Sequence, residues 1–381
     1  MILGIDASNI RAGGGLTHLR ELMNNIELSK TGFEKVVLWS SISTLDKIQD
    51  RPWLEKKTHR LMNSNSVAQL LWQLFFFKGS AKRSGCTLVF APGSTFISGF
   101  RPYVTLSQNM LPFEWNETLR FKSWITRLRF LVLHLTQSFT FKRASGVIFL
   151  TNYARNYISK KIKIEPDRTT IIPHGISTLF LNKPKEQKEI KAYTPDHPYR
   201  LLYVSIVTVY KHQWNVARAV SALRKKGYPV VLDLVGPKTE EGFALLSPVM
   251  KSEDPENKFI FFHGQANKEE LIAFYQHADA FVFASSCENM PIILIEAMTA
   301  GLPIACSASG PMPEVLKDNG FYFDPENVDS ITEALVQLIE NPVLRYQRSM
   351  KVFDEVGNYT WKDCALNTFD YLYKVAKQHN N

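Results

Sequence analysis

The stretch SSCENMPIILIEAMTAGLPIACS, residues 285–307, decides how the chain is read. It leaves an apolar, aromatic run, AFVFAS (280–285), through a polar loop and enters a helical pattern near 291–300. Pro291 stands where a first helical turn tolerates proline, and Gly301 where a C-terminal cap favours glycine. A second apolar run, PIACSA (303–308), follows at once. Strand, helix and strand in succession, with strands apolar along their length, predict parallel neighbours buried on both faces.

The same alternation extends outward. RLLYVSI (200–206), PVVLDLVG (229–236) and KFIFFHG (258–264) read as further strands, with helical patterns at 212–226 and 267–277. In the first half ILGID (2–6), KVVLWS (35–40), TLVFAP (87–92), YVTLSQN (103–109), GVIFLT (146–151) and TTIIPHGI (169–176) read the same way. A helical pattern at 16–29 follows Gly13-Gly14-Gly15. A Lys/Pro/Glu-rich stretch, residues 182–200, separates the halves and reads as a linker or surface loop. Two such blocks predict an α/β chain of two Rossmann-like domains, with ligands bound beyond the carboxyl ends of the strands and in the cleft between the domains.

Composition agrees with a folded, core-forming protein. Of 381 residues, 45% are hydrophobic and 21% charged, which excludes disordered and collagen-like classes. Cys86, Cys287, Cys306 and Cys364 are scattered, with no C-x-x-C pair, so neither a disulfide framework nor a zinc site is expected. No basic, apolar leader opens the sequence, and VAQLLWQLFFF (67–77) falls short of the roughly 20 residues a membrane span needs. The expectation is a cytoplasmic protein, soluble or peripheral on the inner face of the membrane.

Charge divides unevenly. Residues 1–180 carry 24 Lys and Arg against 11 Asp and Glu; residues 181–381 carry 21 against 25. The halves should therefore meet different partners. The densest basic stretch, residues 120–143, interleaves Arg120, Lys122, Arg127, Arg129, Lys142 and Arg143 with Phe, Trp and Leu. It reads either as a mostly buried helix with solvated basic edges or as an amphipathic surface for anionic lipid. No helix-turn-helix, RNP-like or zinc-finger pattern supports nucleic acid.

Three places can carry chemistry. AGGGLTHL (12–19) joins a strand to a helix, and its glycines let backbone approach a ligand at a helix N-terminus. Either a phosphate cradle or a tight connection without a ligand satisfies that pattern. It is neither G-x-G-x-x-G nor a P-loop. In the 285–307 stretch, Glu288 precedes the helix and Glu296 lies eight residues on, within apolar ILIEAM. A carboxylate placed so needs a partner, and vicinal ribose hydroxyls would supply one. Lys211, after the 200–206 strand, could neutralise a diphosphate oxygen or be an ordinary surface lysine.

With these residues in view the chain resembles a family 4 retaining glycosyltransferase of the GT-B fold. The E-x7-E pair Glu288–Glu296 carries the resemblance most specifically. The Gly-rich loop, the position of Lys211, IPHGI (172–176) and the strand order of the second half support it. The 108–115 stretch, QNMLPFEW, is similar to those of mannosyl- or rhamnosyl-transferring members that build bacterial surface polysaccharides.

The resemblance implies an acceptor-binding domain over 1–180 and a nucleotide-sugar-binding domain over 181–358. A C-terminal helix over 359–381 would cross back to the first domain. It assigns Glu296 to the ribose hydroxyls, and Glu288 with the amides of Asn289 and Met290 to the sugar and distal phosphate. Lys211 would stabilise the leaving diphosphate, Gly264 and Gln265 would receive the base, and Gly14 and Gly15 would close over the phosphates or sugar. Asn109 and Glu114 would line the acceptor side. No metal and no cofactor beyond the donor, a GDP-sugar in the first instance, would be needed, and no D-x-D triplet is present. The acceptor would be a glycan or a polyprenyl-diphosphate-linked glycan, as in O-antigen or lipopolysaccharide synthesis. One position departs from the family. Ile206 stands where an arginine usually precedes the lysine by five residues, so Arg11 or His212 should substitute, or the diphosphate is less well stabilised. The same position keeps open a non-catalytic GT-B partner protein; a soluble nucleotide-sugar enzyme of this fold is a separate alternative.

Overall fold

The computed structural model describes residues 1–380. Strands β1 (Ile2–Asp6), β2 (Lys35–Trp39), β3 (Leu54–Lys57), β4 (Leu88–Ala91), β5 (Tyr103–Leu106), β6 (Gly146–Phe149) and β7 (Thr169–Ile171) form one sheet. Its order is β3-β2-β1-β4-β5-β6-β7. Strands β8 (Tyr199–Val204), β9 (Val230–Val235), β10 (Ile260–Gly264), β11 (Ala280–Phe283), β12 (Ile304–Ser307) and β13 (Phe321–Phe323) form the second, in the order β10-β9-β8-β11-β12-β13. Every adjacent pair is parallel. The order reverses between β1 and β4 in one sheet and between β8 and β11 in the other. In doubly wound sheets that reversal opens a crevice at the carboxyl ends of the two strands.

The predicted strands form because their residues are buried on both faces. All four residues of β4, β5, β6, β11 and β12 are buried, as are all six of β9. The edge strands β7 and β10 are only part-buried, and two further strands stand apart. The edge strand β3, LEKK, is half-buried, and Glu55 pairs with Lys35 (2.6 Å) and Lys57 (3.0 Å). The strand β13 is three residues long. Neither is among the strands expected from apolar runs.

The chain divides into two compact units. One comprises Met1–Phe113, Leu128–Gly175 and Tyr359–Asn381; the other comprises Glu114–Arg127 and Ile176–Asn358. The C-terminal helix Trp361–Asn380 belongs to the first unit, where Phe33 meets the Phe369 and Tyr373 rings edge-on at 6.3 and 6.0 Å. The expected division at residue 180 is corrected at one place above all. Residues 114–127 are part of the second unit, because their polar groups are satisfied there. Ser123 N–H donates to Glu241 (3.0 Å), and Arg120 pairs with Glu326.

The basic helix Trp124–Arg143 is not the mostly buried element that one reading expected. Trp124, Ile125, Leu128, Leu131, Val132, Leu135 and Phe139 are all exposed, at the three- and four-residue spacing of one helix face. No helix among the described residues is long and apolar enough to cross a membrane.

Candidate functional site

The second unit builds its site where the order of its sheet reverses. The loop after β8 carries Lys211, and the loop after the neighbouring β11 carries Glu288. Their side chains form an ion pair with 7% and 15% of their surface exposed. The Lys211 ammonium also lies 4.7 Å from the Phe283 ring centroid and 5.4 Å from that of Tyr210. Aromatic faces attract a cation, and an ammonium this buried is costly unless paired.

Tyr203 of β8 holds both loops. Its hydroxyl donates to the Lys211 carbonyl and accepts from Ala284 N–H at 3.1 Å. Ser286 N–H donates to the Tyr210 carbonyl at 2.9 Å, a second tie between the loops. His212 closes the first loop with a positive φ of 48°, a strained conformation for histidine, and the helix Gln213–Lys225 starts beyond it.

Behind Lys211 runs a polar relay. Arg120 binds Glu117 (2.8 Å) and Glu326; Ser286 donates to Glu117 (2.6 Å); His212 Nε2 lies 3.0 Å from Ser286 Oγ. With Ser286 Oγ–H committed to Glu117, the network assigns the His212 proton to Nε2. Burial, and then the Arg120 guanidinium, push the His212 imidazole down to about 4. His212 is therefore neutral at pH 7 and does not replace the missing arginine as a cation. Arg11 lies in the first unit, with its guanidinium on the Met62 (3.1 Å) and Ser64 carbonyls. Ile206 itself is 40% exposed.

Glu296 lies in the helix Ile292–Thr299. Tyr275 donates to its Oε2 at 3.0 Å, and burial pushes the carboxyl up to about 7 against that hydrogen bond. Asn289 and Met290 are buried in the loop before the helix. Gly264 ends β10 with φ 71°, and Gln265 after it is exposed. Glu114, expected on the acceptor side of the first domain, falls in the second unit. There its charge acts on the Cys287 thiol, which is pushed up by burial first and then by the carboxylates of Glu114, Glu288 and Glu117. Asn109 stays in the first unit, where its side chain accepts from Leu111 N–H at 3.1 Å.

Gly14 and Gly15 also lie in the first unit. They form the first turn of the helix Gly13–Asn25, which has no side-chain cap and no acidic residue in that turn. The helix begins three residues before its apolar periodicity does. At Gly15 a Cβ would come 2.9 Å from Gln108 Oε1, while at Gly14 it would meet open space.

Several residues of this site escaped the sequence. Glu117 and Arg120 are three apart, a helical pairing, but their partners are distant in the chain. Gly236 follows β9 with φ 141°, and a Cβ there would lie 2.1 Å from the Ser205 carbonyl. Its position after PVVLDLV was the available signal. The scattered cysteines also hid a cluster. His18, His174 and Cys364 offer ligand atoms within 4.8 Å of one another, all buried. His18 and His174 share a hydrogen bond, Nδ1 to Nδ1, at 2.9 Å. Burial pushes His174 down to about 4 and the Cys364 thiol up to about 12. Neutral rings and a protonated thiol account for the cluster as packing in the first unit.

The 211, 288 and 296 positions all fall within one matched segment. Residues 184–352 match the family described as Glycosyl transferases group 1. O-antigen chain mannosyltransferase B of Escherichia coli is 29% identical over 117 residues, which is 31% of this chain and 30% of that protein. The chain spans 30%, 26% and 31% of the length of the first curated relatives it matches. Among solved structures, a sucrose-phosphate synthase from Thermosynechococcus elongatus superposes with a TM-score of 0.75 at 16% identity, over 97% of each chain. HepE of Anabaena, solved in complex with UDP, superposes with a TM-score of 0.68 at 17% identity, over 100% of this chain and 99% of that one. At such identities the likeness is one of fold: two parallel-sheet α/β domains of the GT-B type.

Proposed function

We propose that the protein is a metal-independent, retaining glycosyltransferase of the family 4 type. It moves a mannose- or rhamnose-like hexose from a nucleotide-diphosphate sugar to a lipid-linked or polysaccharide acceptor of the bacterial cell surface. The Lys211–Glu288 pair carries this reading: it sits on the loops after β8 and β11, inside the segment that matches the glycosyltransferase family.

The chemistry asks for what these loops hold. The bond from the anomeric carbon to the diphosphate oxygen breaks, leaving negative charge on the diphosphate and positive charge on the sugar. A fixed cation aimed at the diphosphate lowers that barrier electrostatically. Lys211 supplies it, held by Glu288 and by aromatic faces. Glu288 accepts hydrogen bonds from the sugar, and Asn289 and Met290 present amides to the distal phosphate. Glu296, ionised, accepts from the ribose hydroxyls while Tyr275 fixes its other side. Gly264 and Gln265 border the base. Neutral His212 keeps the loop in shape through Ser286 rather than adding charge.

The acceptor reading rests on the kinship with the O-antigen mannosyltransferase and on the basic first half. The exposed apolar face of the helix Trp124–Arg143, with Arg127, Arg129, Lys142 and Arg143 on the same helix, suits an anionic membrane surface carrying a lipid-linked acceptor. A GDP-sugar is the first donor to try.

The test is transfer itself. Purified protein is incubated with GDP-mannose and other GDP-, UDP- and dTDP-sugars, with polyprenyl-diphosphate-linked glycans as acceptors, and the product anomer is read by NMR. A product with the donor's anomeric configuration is expected. An inverted product overturns the retaining assignment. Donor binding without transfer to any acceptor turns the reading to a non-catalytic partner protein.

A further inference from the structure

The first unit holds a charged pocket that shares no residue with the donor site of the second unit. It is a cavity of about 590 Å³ lined by Arg101, Lys142, Arg143, Arg168 and Lys374, with Asp167 the acidic residue among them. Its place in the fold is defined by the strands. Arg101 stands two residues before β5, Ser145 one before β6, and Arg168 one before β7. The pocket therefore lies at the amino ends of these parallel strands. The glycine-led helix Gly13–Asn25 starts from the opposite, carboxyl end of the same sheet, after β1.

The pocket is framed rather than merely basic. Arg168 donates from Nη1 to the Lys142 and Ala144 carbonyls, both at 3.1 Å, which pins the end of the helix Trp124–Arg143 to the start of β7. Tyr371 of the C-terminal helix donates to the Arg168 carbonyl at 2.9 Å. Gly146 makes room for it, since a Cβ there would lie 2.7 Å from the Tyr371 hydroxyl. Arg101, Arg143 and Arg168 all act on the Tyr103 phenol, which burial pushes up to about 12 against their pull. Among the described residues, none of the five cations lies within 4.0 Å of a carboxylate. Like charges gathered around one cavity repel, and an anion of two or more charges in the cavity reverses the sign of that interaction. Guanidinium groups match phosphate oxygens in pairs, and an ammonium adds a point charge.

We infer that this pocket binds a phosphate or diphosphate group, at a site separate from the donor site of the second unit. The group belongs either to a soluble phosphorylated compound or to a lipid headgroup. The cavity is larger than one phosphate needs, so an ester carrying an organic moiety fits it.

The test uses the full chain and pyrophosphate as probe, followed by calorimetry. The double variant Arg101→Glu/Lys374→Glu reverses two exposed charges at the rim. Its affinity for pyrophosphate should fall at least about tenfold, since each lost charged hydrogen bond is worth that much or more. Its melting temperature should hold or rise, because repulsion is relieved, and its thermal response to nucleotide sugars should be unchanged. Wild-type protein that fails to bind pyrophosphate at up to about 10 mM, a free energy under 3 kcal/mol, overturns the inference. So does a double variant whose isotherm matches the wild type. Co-sedimentation with phosphatidic acid in phosphatidylcholine vesicles, against phosphatidylcholine alone, separates the sources. Retention that the double variant loses assigns the headgroup. Pyrophosphate binding that the double variant loses, with vesicle retention unaltered, assigns the soluble compound.

Discussion

Replacing Lys211 by methionine removes one partner of a nearly dehydrated pair. Glu288 has 15% of its side chain exposed, so the charge left behind has little water to turn to. Breaking such a pair costs about 3–5 kcal/mol, whereas neutralising both partners is close to neutral. The second unit has about 200 residues, for which 1 kcal/mol corresponds to roughly 2–4 °C. Lys211→Met should therefore lower the melting transition of that unit by about 6–12 °C at pH 7, taking the lower energy. Adding Glu288→Gln should restore most of it, because no charge is then stranded. Differential scanning calorimetry of the two single variants and the double variant reads the cycle. Both variants should abolish transfer, so stability recovers in the double variant while activity does not. A Lys211→Met protein that melts like the wild type, or a double variant that melts no higher than it, refutes the picture of a buried, mutually dependent pair.

Donor binding should weaken below neutral pH through Glu296, whose carboxyl sits at about 7. Ribose hydroxyls need the ionised form, so at pH 5.5 affinity should be about thirtyfold below its plateau, and Glu296→Gln should remove that dependence in calorimetric titrations. The folded carboxyl lies above its ordinary value, so it binds protons that the unfolded chain has released. Stability without donor should then fall as pH rises from about 4.5 to 7, and Glu296→Gln should flatten that slope in urea melts. Gly236→Ala forces a Cβ onto the Ser205 carbonyl and should cost roughly 1–3 kcal/mol, with donor affinity falling as the β8 loop shifts. EDTA should leave the transfer rate unchanged; a loss restored by Mn²⁺ or Mg²⁺ would contradict the metal-independent proposal.

The fold was legible where burial wrote it into the sequence. Parallel strands buried on both faces become apolar runs, and eleven of the thirteen strands coincide with such a run. β3 was not legible, because an edge strand can hold LEKK with its lysines paired to Asp50 and Glu55. The short β13, Phe321–Phe323, offers too few residues for a period. At the site, the spacing of Glu288 and Glu296 was readable because a loop and a helix place them in sequence. The allegiance of residues 114–127 was not, because Glu117 and Arg120 find Ser286 and Glu326 about 170 and 206 residues away. The charge state of His212 was hidden for a related reason. Composition suggests a spare cation, while burial beside Arg120 makes it neutral. The left-handed turn at His212 likewise depends on tertiary ties that no local pattern announces.

The central claim is that the loops after β8 and β11 bind a nucleotide-diphosphate sugar. A thermal-shift screen against GDP-, UDP- and dTDP-sugars tests it most directly, with Lys211→Met/Glu288→Gln as the control. A ligand at a hundred times its dissociation constant stabilises by about 2.7 kcal/mol, a shift of several degrees for a unit of this size. The account predicts a clear rise with one class of donor in the wild type and little or none in the control. A flat response to every donor at saturating concentration, or an equal rise in the control, would contradict it.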